Sequence, residues 1–291
     1  MKPSFAIVGC GKVGTSLGWF LSKRGYPLAG ISGRRLESVR RAAEVIGTGA
    51  FSDKPWEITA GADIVFITTP DDAIAGTCRE LISRNSLKQS AVVLHCSGSL
   101  PSTILLSEER KDIHAGSLHP LQSFASLKTD RNPFRDIIAA VEGDETAVGI
   151  ARGIAADLGA VSLEIKTEAK PLYHAAAVVA SNYLVSLMDL SFRLISAAGI
   201  TGGDAVRVLY PLVKGTLGNI EKIGIPNALT GPISRGDIAT VADHLSRMET
   251  ALPELVSIYK PLGRHTVGLA LEKGTLSEEK AREFRELLEE K

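Results

Sequence analysis

An apolar run that leads directly into a glycine-rich segment is the feature that most constrains this chain. Residues 5–8 read Phe-Ala-Ile-Val, and Gly9, Gly11 and Gly14 follow with the spacing Gly-x-Gly-x-x-Gly. In a strand-turn-helix unit the first glycine permits the tight turn, the second lets a pyrophosphate approach the backbone, and the third lets helix and strand pack closely. Free amides and the macrodipole at the helix start favour bound phosphate. The predicted dinucleotide site comprises Gly9, Cys10, Gly11, Lys12, Val13 and Gly14.

Length, charge and cysteine content restrict the class of protein. At 291 residues the chain predicts two domains. Lys and Arg total 33 and so do Asp and Glu, so no net charge attracts nucleic acid or an anionic membrane surface, and we expect a small-molecule partner. Cys10, Cys78 and Cys96 form no close-spaced pair, which fits a reducing cytoplasm and argues against a zinc site.

Two apolar segments need to be distinguished from membrane or export signals. The run at residues 5–8 ends in the glycine-rich segment rather than in a cleavage signal. The longest apolar stretch, residues 175–190, contains polar residues and predicts a buried helix rather than a membrane span. These polar residues are Ser181, Asn182, Ser186 and Asp189. We therefore expect a cytoplasmic protein.

The two halves of the chain have different periodicities. Apolar runs alternate with helical patterns in the first half, which predicts a doubly wound, mainly parallel α/β sheet of the Rossmann type. The predicted strands lie near residues 4–8, 27–31, 63–67, 91–95, 114–118, 136–141 and 161–165. Helical segments rich in Ala, Leu and Val then follow near 169–198, 203–222, 237–249, 252–272 and 277–289. We expect a dinucleotide-binding domain over 1–165 and an all-α domain for substrate binding and dimerisation over 166–291.

The end of the second predicted strand indicates which dinucleotide is bound. An NAD site has Asp or Glu there to bind the ribose hydroxyls, whereas an NADP site needs groups that bind the 2′-phosphate. The strand leads into Ser32, Gly33, Arg34 and Arg35, and the first carboxylate is that of Glu37. Arginine can bind phosphate in a bidentate manner and serine adds a hydroxyl donor, which favours NADP(H). The alternative is that both arginines are solvated residues at the start of the next helix.

A further segment, Thr68-Thr69-Pro70, follows the predicted strand at 63–67. Its proline is expected to turn the chain over the adenosine side of the cofactor. The alternative is an ordinary strand-to-helix loop in which Asp71 caps the next helix.

Two strand ends carry the candidate chemistry. Ser97 and Ser99 follow the strand at 91–95, at the edge where open parallel sheets bind ligands, and their hydroxyls can contact a substrate oxygen near the nicotinamide. His119 follows another strand and precedes Pro120, which restrains its orientation. An imidazole exchanges protons near neutrality, as carbonyl reduction or alcohol oxidation requires, so His119 is predicted to be a general acid or base. The alternative is a histidine that bonds only to backbone. His95 is expected to be structural.

The helical half adds a polar stripe and a rigid turn. Lys170, His174 and Ser181 lie near one face of a predicted helix, with Asn182 beside them. Such a stripe needs partners, either in a cleft between the domains or within a helical dimer. Arg235 follows Thr230-Gly231-Pro232 and precedes Asp237, the expected cap of the next helix. Arg235 is predicted to bind a substrate carboxylate or phosphate, and a structural Arg-Asp pair is the alternative.

With these residues considered together, the chain resembles the 6-phosphogluconate dehydrogenase superfamily. It is most similar to a bacterial family of oxidoreductases with an N-terminal Rossmann-like domain and a helical C-terminal domain of unknown function. The segments that carry the resemblance are 9–14, 32–35, 95–99, 117–122, 173–177 and 231–237. The His119-Pro120 pair is similar to that of prephenate dehydrogenases and to the catalytic histidine segment of 3-hydroxyacyl-CoA dehydrogenases. By that likeness Ser97 or Ser99 positions the substrate, and Asn182 is the catalytic helix asparagine.

Departures from the related families restrict the chemistry. Hydroxyisobutyrate and 6-phosphogluconate dehydrogenases have a lysine four residues before the helix asparagine, where this chain has Val178, which argues against lysine-based chemistry there. Prephenate enzymes continue their His-Pro pair with a Gly-Thr-Glu-like turn, and this chain has Gln122-Ser123-Phe124 instead, which argues against prephenate as the substrate. The segment 32–35 also resembles the phosphate clamp of F420-dependent NADP reductases, which lack so long a helical domain.

These observations predict an NADP(H)-dependent dehydrogenase or reductase that acts on a small carbonyl, imine or hydroxy acid bound between its two domains. The helical domain is expected to form a homodimer. His119, Ser97 and Asn182 are its predicted catalytic residues, and Ser99, His174 and Arg235 its predicted substrate contacts. One alternative is a non-catalytic NADP(H)-binding sensor or scaffold dimer. Another is an imine reductase that resembles pyrroline-5-carboxylate reductase and uses Thr216 and Ser234 for its polar contacts.

Overall fold

A computed structural model describes residues 1–127 and 131–289 of the chain. These residues form two compact units, Met1–Asn182 and Tyr183–Lys291. The division falls inside one long helix, whereas the sequence predicts a domain boundary at residues 165–166, just after the last strand.

The first unit is built on an eight-stranded sheet with the order β3-β2-β1-β4-β5-β6-β7-β8. Its strands are β1 Phe5–Val8, β2 Leu28–Ser32, β3 Phe51–Ser52, β4 Ile64–Ile67, β5 Val92–His95, β6 His114–Pro120, β7 Ile138–Gly143 and β8 Val161–Glu164. All neighbouring strands are parallel except β6 and β7, which are antiparallel. The order of the first six strands is that of the dinucleotide-binding fold, in which ligands bind where the strand order reverses, between β1 and β4.

Helices cover both faces of this sheet. They are α1 Lys12–Lys23, α2 Leu36–Ile46, α3 Trp56–Thr59, α4 Asp71–Ser83 and α5 Glu145–Leu158. Side chains alternate between the faces, so in β1 Phe5 and Ile7 belong to the core beside α1, α2 and α5, whereas Ala6 and Val8 belong to the core beside α4. Because both faces are buried, the central strands β1 and β4 are apolar and buried at every position, as parallel strands usually are.

The second unit is helical. Helix α6 Lys170–Ala197 leads into it, and α7 Gly203–Ile223, α8 Ile238–Ala251, α9 Pro253–Glu272 and α10 Glu278–Leu287 follow. Apolar residues of α8, α9 and α10, among them Val241, Val267 and Phe284, form its core. Asp237 accepts a hydrogen bond from the Thr240 amide, so the predicted cap of α8 is confirmed.

The predicted α/β sheet followed by helices is confirmed, and two expectations need correction. The short edge strand β3 was not predicted, because two residues are too few to form a recognisable pattern. The expectation that residues 175–190 form a buried helix is wrong for the single chain, because the apolar side chains of α6 point outward. Among the described residues, Thr167–Ala197 is the one segment long and apolar enough to cross a membrane by length and composition, and none of its most apolar window is buried.

Candidate active site

The turn between β1 and α1 has the geometry that the glycine spacing predicts. Gly9 has φ of 115°, and a Cβ atom there would lie 2.5 Å from the Thr68 carbonyl carbon. A Cβ atom on Gly14 would lie 2.1 Å from the Gly9 oxygen, so only glycine fits where helix and strand meet. Gly11, in contrast, faces open space, with no atom within 4 Å of a Cβ built on it among the described residues. The turn is therefore tight on its protein side and open on the side where a pyrophosphate would approach.

Polar groups around this turn fit a dinucleotide. Gly11 is the N-terminal cap residue of α1, and no side chain caps that helix, so its first amides are available to a phosphate. Thr69, which follows β4 at the point where the strand order reverses, has a buried hydroxyl with no partner among residues 1–127 and 131–289. The uncapped helix, the open Gly11 and the unpartnered hydroxyl together form a site that fits the pyrophosphate of a nicotinamide dinucleotide.

The predicted cofactor residues at the end of β2 and directly after it differ in exposure. Arg34 and Arg35 are exposed, whereas Ser32 is fully buried and its hydroxyl finds no partner within the described parts of the chain. The Ser32 carbonyl accepts hydrogen bonds from the Gly9 amide at 2.7 Å and from the Cys10 thiol at 3.2 Å, which ties β2 to the glycine turn. Burial raises the pKa of the Cys10 thiol to about 12, so the thiol remains neutral beside the phosphate site.

His119 lies where β6 extends beyond the end of β5. Strand β5 ends at His95, which is paired with Ser117, so the last three residues of β6 continue past it. The loop that follows β5 contains Ser97, Gly98 and Ser99 and lies beside this extension of β6. A Cβ atom on Gly98 would lie 2.8 Å from His119 Nε2. The two strand ends that the sequence singles out therefore meet at one edge of the sheet.

Two further aromatic side chains complete the cluster around His119. The Tyr173 hydroxyl lies 3.1 Å from His119 Nδ1, within hydrogen-bonding distance. The His174 ring packs edge-on against the His119 ring with centroids 6.0 Å apart. His174 Nδ1 is buried, lacks a partner in the described residues, and lies 2.6 Å from the position of a Cβ atom on Gly98. Both imidazoles thus pack against Gly98, in the space that a side chain there would occupy.

Burial and neighbouring charge hold His119 in its neutral form. Desolvation lowers the pKa of His119 to about 4, and the nearby charges of His174 and Lys170 act in the same direction while Asp71 opposes them. His95 is completely buried, accepts a hydrogen bond from the Ser97 amide at 3.2 Å, and has a pKa lowered to about 4, chiefly by burial. The expectation that His95 is structural agrees with this position.

Asp71 is a site residue that the sequence reasoning missed. Its carboxylate accepts hydrogen bonds from the hydroxyls of Ser97 at 2.8 Å and Ser99 at 2.9 Å. No side chain caps α4, so the alternative in which Asp71 caps its own helix is wrong. The Ser97 hydroxyl also accepts from the amides of Ser99 and Leu100, so it holds the Gly98 loop in shape. Asp71 follows β4 and Ser97 follows the adjacent β5, and that adjacency could have indicated the contact.

Other predicted contacts lie elsewhere. Asn182 is exposed on α6, eight residues and roughly 12 Å of helix beyond His174, and no described hydrogen bond joins it to His119 or Ser97. Arg235 is exposed in the second unit. Of the two residues considered for an imine reductase, Thr216 donates to the Leu212 carbonyl, and Ser234 is buried with its hydroxyl 3.0 Å from that of Thr275.

Comparisons with known proteins agree with this architecture. A family model for a Rossmann-like domain matches residues 2–120, and one for a domain of unknown function, DUF2520, matches residues 137–266. No curated protein matches the chain.

Three solved structures share the fold along nearly the whole chain. A Bacteroides fragilis protein assigned as an NADP oxidoreductase is 22% identical, with a TM-score of 0.78 over 92% of this chain and 98% of that one. The Thermotoga maritima protein TM1727 is 28% identical, with a TM-score of 0.64 over 97% and 98%. A Plasmodium falciparum pyrroline carboxylate reductase with NADP bound is 13% identical, with a TM-score of 0.60 over 99% and 98%. The chain therefore has the fold of nicotinamide-dependent oxidoreductases.

Proposed function

We propose that this protein is an NADP(H)-dependent oxidoreductase that transfers hydride to or from a small carbonyl, imine or hydroxy-acid substrate. The observation that carries the proposal is the His119 cluster, in which two imidazoles pack against Gly98 at the carboxyl edge of a sheet that also carries a dinucleotide turn. Perturbed titratable groups at this edge of an open α/β sheet are typical of an active site.

The bound cofactor supplies or accepts the hydride, and the chain's own residues handle the proton. Oxidation of an alcohol releases a proton, which neutral His119 can accept at Nε2 to become an imidazolium, while its Nδ1–H stays hydrogen-bonded to the Tyr173 hydroxyl and fixes the ring. Reduction of a carbonyl runs in reverse: protonated His119 gives its Nε2 proton to the developing alkoxide and returns to the neutral form. His174 Nδ1 and the Ser99 hydroxyl are the candidate groups that orient the substrate oxygen or nitrogen.

The preference for NADP(H) over NAD(H) rests on the segment after β2. Arg34 and Arg35 are exposed and can bind a 2′-phosphate, whereas the first carboxylate, Glu37, belongs to the first turn of α2.

The test of catalysis is the substitution His119→Gln. With NADPH or NADP⁺ and a panel of ketones, cyclic imines and 2-hydroxy acids, we expect turnover of one class by the natural protein. We expect the variant to lose turnover by a factor on the order of 10²–10⁴ and to bind cofactor with unchanged affinity. Preserved turnover in the variant would remove His119 from the mechanism.

The same experiment separates the alternatives. A sensor or scaffold binds NADPH but turns over no substrate class. An imine reductase reduces the cyclic imines alone, and its rate depends on Thr216 or Ser234 rather than on His119.

We also propose that the protein is a homodimer formed through its helical unit and that it functions in the cytoplasm. The dimer is supported by large apolar side chains that the single chain exposes on α6 and α7. Val185 and Leu212 are 70% and 67% exposed.

A further inference from the structure

A buried ion pair lies next to the imidazole cluster and takes no part in the proton transfer proposed above. Lys170, the first residue of α6, is 1% exposed, and Glu142 on β7 is 2% exposed. Lys170 Nζ donates to Glu142 Oε1 at 3.1 Å and to Ser117 Oγ at 2.6 Å. Burial of two charges is costly unless they are paired and hydrogen-bonded, so this arrangement requires complete partners.

The carboxylate of Glu142 has those partners. It accepts hydrogen bonds from the Ser102 amide at 2.8 Å, the Ser102 hydroxyl at 2.7 Å and the Thr167 hydroxyl at 2.9 Å. Burial by itself raises the pKa of Glu142, but the Ser102 hydrogen bond and the Lys170 charge outweigh it and hold the pKa below its usual value. These contacts favour the ionised form of Glu142. Burial lowers the pKa of Lys170, and the charge and hydrogen bond of Glu142 oppose that change.

The pair connects the two elements that carry the cluster. Ser117 lies two residues before His119 on β6. Lys170 precedes Tyr173 and His174 by three and four residues, which is one turn of α6. One ammonium group thus contacts the strand that carries His119 and begins the helix that carries its two aromatic neighbours.

We propose that Lys170 and Glu142 are positioning residues that hold the start of α6 on the sheet so that Tyr173 and His174 face His119. The Lys170 charge also opposes protonation of His119. Groups that face His119 are Tyr173, His174 and Lys170 from α6 and Asp71 from α4, and only Asp71 raises its pKa. The importance of this arrangement for turnover rests on the proposed function, whereas the arrangement itself does not.

The test is an imidazole NMR titration of the full chain without substrate. The His119 signals are assigned by their loss in His119→Gln. The variant Lys170→Met/Glu142→Gln removes both charges together. Lys166→Met, at an exposed lysine four residues before Lys170, is the matched control. In the double variant we expect the pKa of His119 to rise by about half a unit or more and the Nδ1 resonance to shift as the Tyr173 contact is lost. The control is expected to change neither.

A folded double variant with unchanged His119 titration and Nδ1 resonance overturns the proposal. If the double variant does not fold, Ser117→Ala removes only the lysine contact to β6. A shifted Nδ1 resonance in that variant supports the proposal, and an unshifted one overturns it. Shifts of this kind in a protein without turnover support the positioning pair and contradict the proposed function, so the two failures are distinguishable.

Discussion

Gly98 illustrates how the absence of one side chain shapes the candidate site. It is buried in a loop that Asp71, Ser97 and Ser99 hold by hydrogen bonds, and the rings of His119 and His174 fill the space against it. The close approach of both imidazoles to this loop therefore depends on this position remaining glycine.

Replacement of Gly98 by alanine is expected to disable the site without unfolding the protein. The new Cβ would lie 2.6 Å from His174 Nδ1 and 2.8 Å from His119 Nε2, so both rings must move. A displacement near 1 Å at reacting groups lowers turnover on the order of a hundredfold. The control is Gly149→Ala on α5, where a Cβ meets nothing within 4 Å. Steady-state kinetics of the two variants test this prediction, and equal kcat values for Gly98→Ala and Gly149→Ala would contradict this account of Gly98.

At the scale of elements, much of the fold was predictable because strands and helices have distinct apolar periods. The seven predicted strands and five C-terminal helices correspond to observed elements. Contacts between elements were less predictable. The position of Tyr173 against His119 depends on where α6 begins on the sheet. The buried partner of Lys170 is Glu142 on β7, which is not the strand that carries His119. A single sequence carries no signal for such long-range pairs beyond strand order.

Two glycines of the β1–α1 turn have different predicted roles: Gly14 is needed for packing and Gly11 for cofactor binding. Gly14→Ala forces a Cβ within 2.4 Å of Thr68 Oγ1 and closer still to the Gly9 carbonyl, so we expect a loss of stability of about 1–3 kcal/mol or more. Gly11→Ala adds a methyl group to open space, so we expect unchanged stability and weaker cofactor binding. Thermal unfolding and cofactor titration measure both effects. A stable Gly14→Ala protein or a Gly11→Ala protein with full affinity would contradict the assignment.

At the scale of the whole molecule, the exposure of α6 and α7 is the main departure from expectation. Apolar composition predicts that the surface of a helix is buried. It does not show whether the helix packs against its own chain or against a second copy. Large apolar side chains exposed on two helices are typical of a protein interface.

If α6 and α7 form the dimer interface, charged substitutions on these helices are expected to lower the mass of the particle in solution from dimer to monomer. Val185→Glu/Leu212→Glu places charges on the exposed apolar faces of α6 and α7, so we expect the dimer to dissociate. Val161→Glu, at a residue 62% exposed on β8, is the control and is expected to remain dimeric. Sedimentation velocity distinguishes the species. A natural protein that sediments as a monomer at every concentration tested would contradict the dimer.

The most direct test of the central claim is a paired titration of the protein with NADPH and NADH, followed by nicotinamide fluorescence. We expect NADPH to bind at least about tenfold more tightly, and Arg34→Ala/Arg35→Ala to abolish that preference, because each arginine contributes charge-assisted hydrogen bonds to the 2′-phosphate. Glu37→Ala controls for a general effect at the start of α2 and is expected to keep the preference. Failure to bind either nucleotide would contradict the proposed function at its foundation, and equal binding of both would contradict the role of the arginines.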